Sequence, residues 1–184
     1  MCEYVEHKKG LIEGKATYED LFEQIKDKCV KGTIGRKSCL FALHDLNLLQ
    51  MNDNYNIDIY EHKQVPEVLK KIRTIVERET GFVYDYVLVH IYLDGSASIN
   101  WHFDSEAVNT PICSVSLGAT RKFRLKEKHK KSGYDYEYLL ESGDMVLMKV
   151  GCQQKYLHCI PVEKRVKSPR INLTFRQYDT TLLF

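Results

Sequence analysis

The chain has 184 residues, 43% of them hydrophobic and 28% charged, with a formal net charge of +2. That length and apolar content suffice for one compact domain with its own core, and the near-neutral balance excludes nucleic-acid binding through overall charge, so any such surface must be a local patch. No apolar run approaches a membrane span, and Met1-Cys2-Glu3-Tyr4 lacks the charged and apolar regions of a secretory signal, so a soluble intracellular protein (nucleus or cytoplasm) with no membrane partner is expected.

In chain order, Thr17 is placed to cap a first helix over residues 18–30, where Tyr18, Leu21, Phe22, Ile25 and Cys29 recur at helical spacing. A second helix is expected from Pro66 to Thr80, with Val65, Val68, Leu69, Ile72, Ile75 and Val76 forming its apolar stripe and Gly81 its stop. Both stripes are expected to cover the outside of a sheet. From Phe82 the pattern changes to short alternating strands broken by Asp-Gly, Gly-Tyr and Ser-Gly turns. The spacing predicts strands near 82–93, 98–104, 112–118, 120–127, 134–140, 143–149, 154–160 and 170–178. Eight strands after two helices predict an α+β fold, a double-stranded β-helix or jelly roll buttressed by N-terminal helices. One domain over residues 1–184 is expected, with a helical region to about 81 and a jelly-roll core over about 82–178. Cysteines 2, 29, 39, 113, 152 and 159 contain no C-x-x-C pair, in a chain too large to need staples, and are expected as reduced thiols.

Alternation along a strand sends His102 and Asp104 to one face while Phe103 packs on the other. Two histidines and a carboxylate on one side of an iron leave opposite positions open for oxygen and a chelating cosubstrate. His158 and His90 are both candidates for the second imidazole. In the last predicted strand Arg170, Asn172, Thr174 and Arg176 share one face, and a guanidinium matches a carboxylate through two parallel hydrogen bonds. Such an arginine suits the carboxylate of 2-oxoglutarate. Tyr84, Tyr86, Leu88, His90 and Tyr92 form another expected common face. His7, His44, His62 and His129 fall in predicted helical or loop regions and read as ordinary surface histidines.

Several segments together resemble the AlkB family of Fe(II)/2-oxoglutarate-dependent nucleic-acid dioxygenases. They are Gly35-Arg36-Lys37, Val89-His90-Ile91-Tyr92 with Asp94-Gly95, His102-Phe103-Asp104-Ser105-Glu106, the strand pair from Ser114 to Phe123, Ser142-Gly143-Asp144, and Arg170 through Arg176. The resemblance implies His102, Asp104 and His158 as metal ligands, with His90 as the rival to His158. It implies Fe(II), 2-oxoglutarate and O2 as cofactors, Arg176 on the far cosubstrate carboxylate, Arg170 at the iron-proximal end, and Asn172, Tyr92 and His90 in the cosubstrate site. Family members commonly carry N-x-Y where this chain has His90-Ile91-Tyr92.

The same resemblance implies DNA or RNA carrying alkylated bases as partner, acted on by a monomer that removes N-methyl groups, as from 1-methyladenine and 3-methylcytosine. A target base must leave its stack to be reached. Tyr55 is then a candidate stacking wall, Glu106 an acceptor for an exocyclic amino group, and Arg36, Lys37, Arg121 and Lys122 phosphate contacts, joined by Lys126, Lys128, Lys130 and Lys131. Read without the resemblance, Tyr55 is equally an exposed loop tyrosine, Glu106 a turn carboxylate, and the lysine-rich hairpin a solvated turn. Val30 to Ile34 is short and lacks an aromatic wedge of the kind used on duplex DNA, which leaves single-stranded DNA and RNA open. A dioxygenase acting on a protein or small molecule, and a catalytically silent nucleic-acid-binding module, are the other readings.

Overall fold

The computed structural model of the chain describes residues 1–33, 35–45 and 56–179. Numbering strands in chain order, the larger sheet runs β1 (Val5–Lys8), β10 (Met145–Met148), β7 (Ile112–Gly118), β12 (Arg170–Arg176), β5 (Tyr86–Tyr92), β3 (Arg36–Ala42), β2 (Lys31–Thr33). A short strand β4 (Asp58–Tyr60) pairs in parallel with β3. The smaller sheet runs β6 (Ile99–His102), β11 (Tyr156–Ile160), β8 (Arg121–Glu127), β9 (Tyr136–Leu140). The predicted strands from 98 onward all exist, most with ends trimmed by a few residues, and the two mainly antiparallel sheets form the expected jelly roll.

Strand alternation divides the larger sheet into two environments. Val87, Val89 and Ile91 of β5, Ile171, Leu173 and Phe175 of β12, and Cys113, Val115 and Leu117 of β7 share one buried cluster. Helices α1 (Gly14–Ile25) and α2 (Glu67–Thr80) cover that face with Leu21, Ile25, Val68, Leu69, Ile72 and Val76. The alternate residues of the same strands face the smaller sheet. There Tyr92, Ile112, Phe123, Leu125, Met148, Tyr156 and Ile160 form a second apolar cluster. Burying about a dozen large apolar side chains on each side stabilises the sandwich by roughly 1.5–3 kcal/mol per residue, before chain entropy is subtracted.

Helix α2 lies where its spacing predicts, and Gly81, at φ +74°, closes it by donating its N–H to the Glu77 carbonyl at 2.9 Å. Helix α1 begins three residues before the expected cap. Glu13, not Thr17, accepts from the N–H groups of Lys15 and Ala16, at 3.2 and 3.0 Å. The start is set by close approach: a Cβ on Gly14 would stand 2.5 Å from Ser142 Oγ. Four strands, β1 to β4, lie in the region expected to be helical and loop. Strand β3 was hidden because both its faces are covered: Ser38 through Ala42 are all buried, so polar alternation is missing. The first predicted long strand starts at Tyr86 rather than 82. Tyr84 consequently belongs to the helix-side cluster, its ring 5.9 Å from that of Phe175, and does not share a face with Leu88 and His90.

Cys29, just past α1, and Cys39, on β3, are joined in a disulfide with Cα atoms 4.7 Å apart, which corrects the expectation of six reduced thiols. The packing of the α1 terminus on β3 brings together two cysteines ten positions apart in sequence. The other four are free and buried. Among the described residues, no helix is long and apolar enough to cross a membrane.

Candidate metal and cosubstrate site

The inner face of the larger sheet is organised in cross-strand rows. Arg36 of β3, Tyr92 of β5 and Arg170 of β12 are aligned, and the next row holds Ser38, His90, Asn172 and Ser116. Then come Leu40, Leu88, Thr174 and Ser114, and finally Ala42, Tyr86, Arg176 and Ile112. Arg36, His90, Tyr92, Ser114, Asn172, Thr174 and Arg176 of these rows, with His102 and His158 from the smaller sheet, line a cavity of about 230 Å³ between the two layers. Polar side chains here are bonded to one another, as burial demands. Asn172 Nδ2 donates to Thr174 Oγ1 at 2.8 Å, and Ser114 Oγ donates to Asn172 Oδ1 at 3.0 Å.

At the mouth, β6 and β11 pair so that His102 stands opposite His158. Asp104 follows at the strand end. One ligating atom from each of the three residues lies within 4.8 Å of the others. The His102 and His158 Nε2 atoms are 3.7 and 3.6 Å from the two Asp104 carboxylate oxygens, too far for good hydrogen bonds. Asp104 Oδ2 is buried without a hydrogen-bond partner. His102 Nδ1 lies 2.8 Å from the Asn100 carbonyl, which can only accept, so Nδ1 carries the proton and Nε2 presents a lone pair. Burial pushes the His158 imidazole down to about 4, keeping it neutral. Burial also opposes ionisation of Asp104, but Arg176 and the two imidazoles outweigh it and hold the carboxyl below its usual range. Two lone pairs and a carboxylate therefore converge on one point, and a buried orphan oxygen there fits a divalent cation better than it fits any protein partner. Asp104 is held from behind, its N–H donating to Gln153 Oε1 at 3.0 Å.

His90 is not part of this cluster. Its Nδ1 is 2.6 Å from Ser38 Oγ, and burial, aided by Arg36 and Arg176, pushes it down to about 3. A neutral ring thus lies between three guanidinium groups. Of the two arginines of β12, Arg176 lines the chamber at the metal-site end and Arg170 lies at the other end of the strand, in the reverse of the expected order. Arg176 Nη2 is 3.2 Å from Asp104 Oδ1, and Nη1 makes a close ion pair with Glu106. Arg170, 1% exposed, lies six residues away along the strand and touches neither metal-site residue. Its Nη2 donates to Ser116 Oγ at 2.8 Å and Asn172 Oδ1 at 2.5 Å, and its guanidinium stands 5.2 Å from the Tyr92 ring centre. Arg170 Nε and Nη1 remain buried without a partner. These spare donors leave a buried cation able to bond an anion. Burial pushes this guanidinium down to about 10.

The remaining expected site residues divide clearly. Glu106 and Arg36 line the cavity, and Arg36 Nη1 donates to the Ser98 carbonyl at 3.2 Å. Lys37 lines a separate open groove with Val30, Lys31 and Asn56. Tyr55 lies outside the described residues. Arg121 is corrected from a phosphate contact to an internal group. It is 1% exposed, and its guanidinium is consumed by Glu163 Oε2 and the carbonyls of Asp94, Ala97 and Pro161. Lys122 is half-buried, and its backbone N–H also donates to Glu163, at 2.9 Å. His7 departs from the surface expectation as well, lying in β1 with Nε2 2.8 Å from Asp144. Ser38, Ser116 and Gln153 were missed: each acts on another site residue from an element distant in sequence, two strands and a short helix, and only the fold brings them there.

A family model described as the 2OG-Fe(II) oxygenase superfamily matches residues 32–176. The chain is similar to "DNA oxidative demethylase ALKBH2" of Bos taurus, at 35% identity over 96% of this chain and 68% of that protein. It is also similar to "Alpha-ketoglutarate-dependent dioxygenase alkB homolog 3" of Homo sapiens, at 33% identity over 59% of this chain and 42% of that protein. Among solved structures, OsALKBH1 matches with a TM-score of 0.68 at 16% identity, covering 96% of this chain and 99% of the other, a likeness of fold.

Proposed function

From the premise that the chain belongs to the 2OG-Fe(II) oxygenase superfamily, in its AlkB branch, we propose that it removes methyl groups from N-alkylated bases in single-stranded DNA or RNA. The observation that carries this reading is the convergence of His102, Asp104 and His158 at the mouth of a cavity whose lining includes buried Arg176, half-buried Arg36 and a neutral imidazole, His90, with buried Arg170 on the same face of the same strand as Arg176. A 2-oxo diacid needs a cation at one end and a guanidinium at the other, and the cavity offers both.

His102 and His158 would hold Fe(II) through Nε2 and Asp104 through its carboxylate. With 2-oxoglutarate and O2, iron bound there supplies the oxidising power that converts an N-methyl group to an N-hydroxymethyl group, with succinate and carbon dioxide as co-products. The hydroxymethyl adduct then leaves its nitrogen as formaldehyde. Arg176, against Asp104, would orient the cosubstrate end nearest the metal, while Arg170 and Tyr92 would receive the far carboxylate. His90, neutral and braced by Ser38, would add one hydrogen bond without adding charge. Glu106 faces the cavity from beside Arg176, where it would accept from an exocyclic amino group of adenine or cytosine. Preorganised charge of this kind acts strongly where it is buried, as Asp104, His158 and Arg176 are. The name of the bovine relative supports oxidative demethylation of DNA, that of the human relative supports a 2-oxoglutarate-dependent dioxygenase, and the short, non-aromatic Val30 to Thr33 segment supports an unpaired strand.

The test is protein loaded with Fe(II) without oxygen, then given oxygen, 2-oxoglutarate and oligonucleotides carrying 1-methyladenine or 3-methylcytosine. A mass loss of one methyl group, absent in Asp104→Ala, is expected. Consumption of 2-oxoglutarate with every methyl retained would overturn the substrate class and favour a protein or small-molecule hydroxylase.

A further inference from the structure

The chamber does not account for the outer face of the smaller sheet, where aromatic rings and cations alternate. Phe103 and Tyr134 are 40% and 43% exposed. Each aromatic carries a cation over its ring: Lys126 Nζ is 4.8 Å from the Trp101 ring centre, Lys128 Nζ 3.5 Å from Phe103, and the Arg124 guanidinium 4.4 Å from Tyr134. Lys126 pairs with Leu157 across β8 and β11, so Lys126 and Lys128 reach over β11 to the rings of β6 and of the residue following it. The acids nearby are already engaged: Glu137 pairs with Arg124 at 2.6 Å, and Asp135 pairs with Lys130. Among the described residues Lys122, Lys126 and Lys128 form no ion pair with an acid, which leaves this face cationic although the whole chain is nearly neutral.

Position connects this face to the site. β6 is the edge strand of its sheet. His102 turns inward to the metal cluster while Trp101 and Phe103, on either side of it in sequence, turn outward. A strand that delivers one base to the cavity beside His102 must carry a neighbouring nucleotide over this edge. Every base has a flat face that stacks on an aromatic ring, and stacking of this kind outweighs an exposed cation–π contact such as that of Lys128 with Phe103. The contact of Lys126, 9% exposed, with Trp101 is the more buried of the two. A base that takes a ring from its lysine releases an ammonium group for the adjacent phosphate.

We propose that Trp101 and Phe103, with Lys126 and Lys128, form a stacking platform for the unpaired bases flanking the target base. This rests on the reading that a nucleic-acid strand is presented to the cavity. It predicts sequence-tolerant, salt-sensitive binding of single strands that needs no alkylated base.

Trp101 is the only tryptophan in the chain, so the native protein reports on the platform directly. Titration with an unmodified decathymidylate is expected to quench tryptophan emission to saturation, with the affinity falling as salt rises. Phe103→Ala should weaken binding about tenfold, and Lys128→Glu should weaken it and flatten the salt dependence. Binding of an end-labelled decamer, seen by anisotropy, with no change in tryptophan emission would overturn the proposal. So would unchanged affinity in Phe103→Ala, or equal quenching by a polyglutamate of the same charge. The two readings fail separately. Quenching that is weakened by Phe103→Ala, in a protein that leaves every methyl in place, supports the platform while removing the demethylase reading; demethylation with silent tryptophan emission does the reverse.

Discussion

Arg121 gives the sharpest test of structure against sequence pattern. On pattern it belongs to a basic run facing phosphate; in the fold it is an internal clamp joining residues 94–97 to residues 161–163. Replacing it with methionine keeps much of its volume but deprives three backbone carbonyls and Glu163 of their donors, at present distances of 2.7 to 3.2 Å. Hydrogen bonds to a charged group contribute about 1.5–3 kcal/mol each. Adding four such values overshoots, because Glu163 is 18% exposed and keeps the Lys122 N–H. Breaking one side of a buried ion pair costs about 3–5 kcal/mol, and that is the expected loss for Arg121→Met. For a domain of this size the melting temperature should fall by roughly 6–20 °C. Urea unfolding of Arg121→Met beside Lys122→Met is the assay, with the second variant expected to change stability by less than about 1 kcal/mol. A loss under about 1 kcal/mol for Arg121→Met, accompanied by weakened oligonucleotide binding, would refute the clamp and restore the phosphate role.

Gly95 should tolerate no side chain. A Cβ there would stand 2.0 Å from the Glu163 carbonyl oxygen, while the Gly95 N–H donates to Val166 and its carbonyl accepts from Glu163. Gly95→Ala is expected to destabilise the fold by about 1–3 kcal/mol, and a melting temperature within 1–2 °C of the parent, on the order of experimental error, would contradict that contact. His90 should make stability depend on pH. Its folded value, about 3, lies below its unfolded value of 6.5, so between them the unfolded chain binds more protons and stability falls as pH falls. The parent should lose about 1 kcal/mol per pH unit relative to His90→Asn below pH 6.5. Parallel stability curves for the two proteins would show that the imidazole is not held neutral.

What was legible in the sequence follows from periodicity. β12 was readable as a two-faced strand because Ile171, Leu173 and Phe175 alternate with Arg170, Asn172, Thr174 and Arg176, and the second helix because its apolar stripe ends at a glycine. β3 was not, since Ser-Cys-Leu-Phe-Ala is buried on both faces and carries no period. The cap at Glu13 was invisible because a distant turn, at Ser142, packs against Gly14 and decides where α1 can begin. Arg121 was misread for a related reason. Its neighbours Lys122, Arg124 and Lys126 suggest a basic surface, but Arg121 occupies the same alternation class as Phe123 and Leu125, which face the core.

The order of the two β12 arginines shows what a single strand cannot supply. Both are on the inner face and six residues apart, so either end of the strand satisfies the pattern equally well. The order is set by Asp104, which lies beyond the end of β6 and reaches Arg176 but not Arg170. Once that end is occupied, the other arginine's surroundings follow from the rows. Tyr92, Ser116 and Asn172 close around Arg170 and leave two of its donors unsatisfied. A buried guanidinium with spare donors is costly unless something anionic completes it. The same argument applies to Asp104 Oδ2 at the opposite end, where a cation is wanted. Unmet demands of both signs therefore remain, for a cation at Asp104 Oδ2 and for an anion at Arg170 Nε and Nη1 and at Arg36 Nε. A divalent metal with a dicarboxylate chelated to it meets both demands at once, whereas either component alone leaves one of them exposed. Cosubstrate affinity should accordingly depend on metal: 2-oxoglutarate binding measured by calorimetry should be strong with Mn(II) present and weaken by at least about tenfold without it, a coupling of roughly 1.4 kcal/mol. Equal affinity with and without metal would mean that the two demands are met independently and that the strand does not link them.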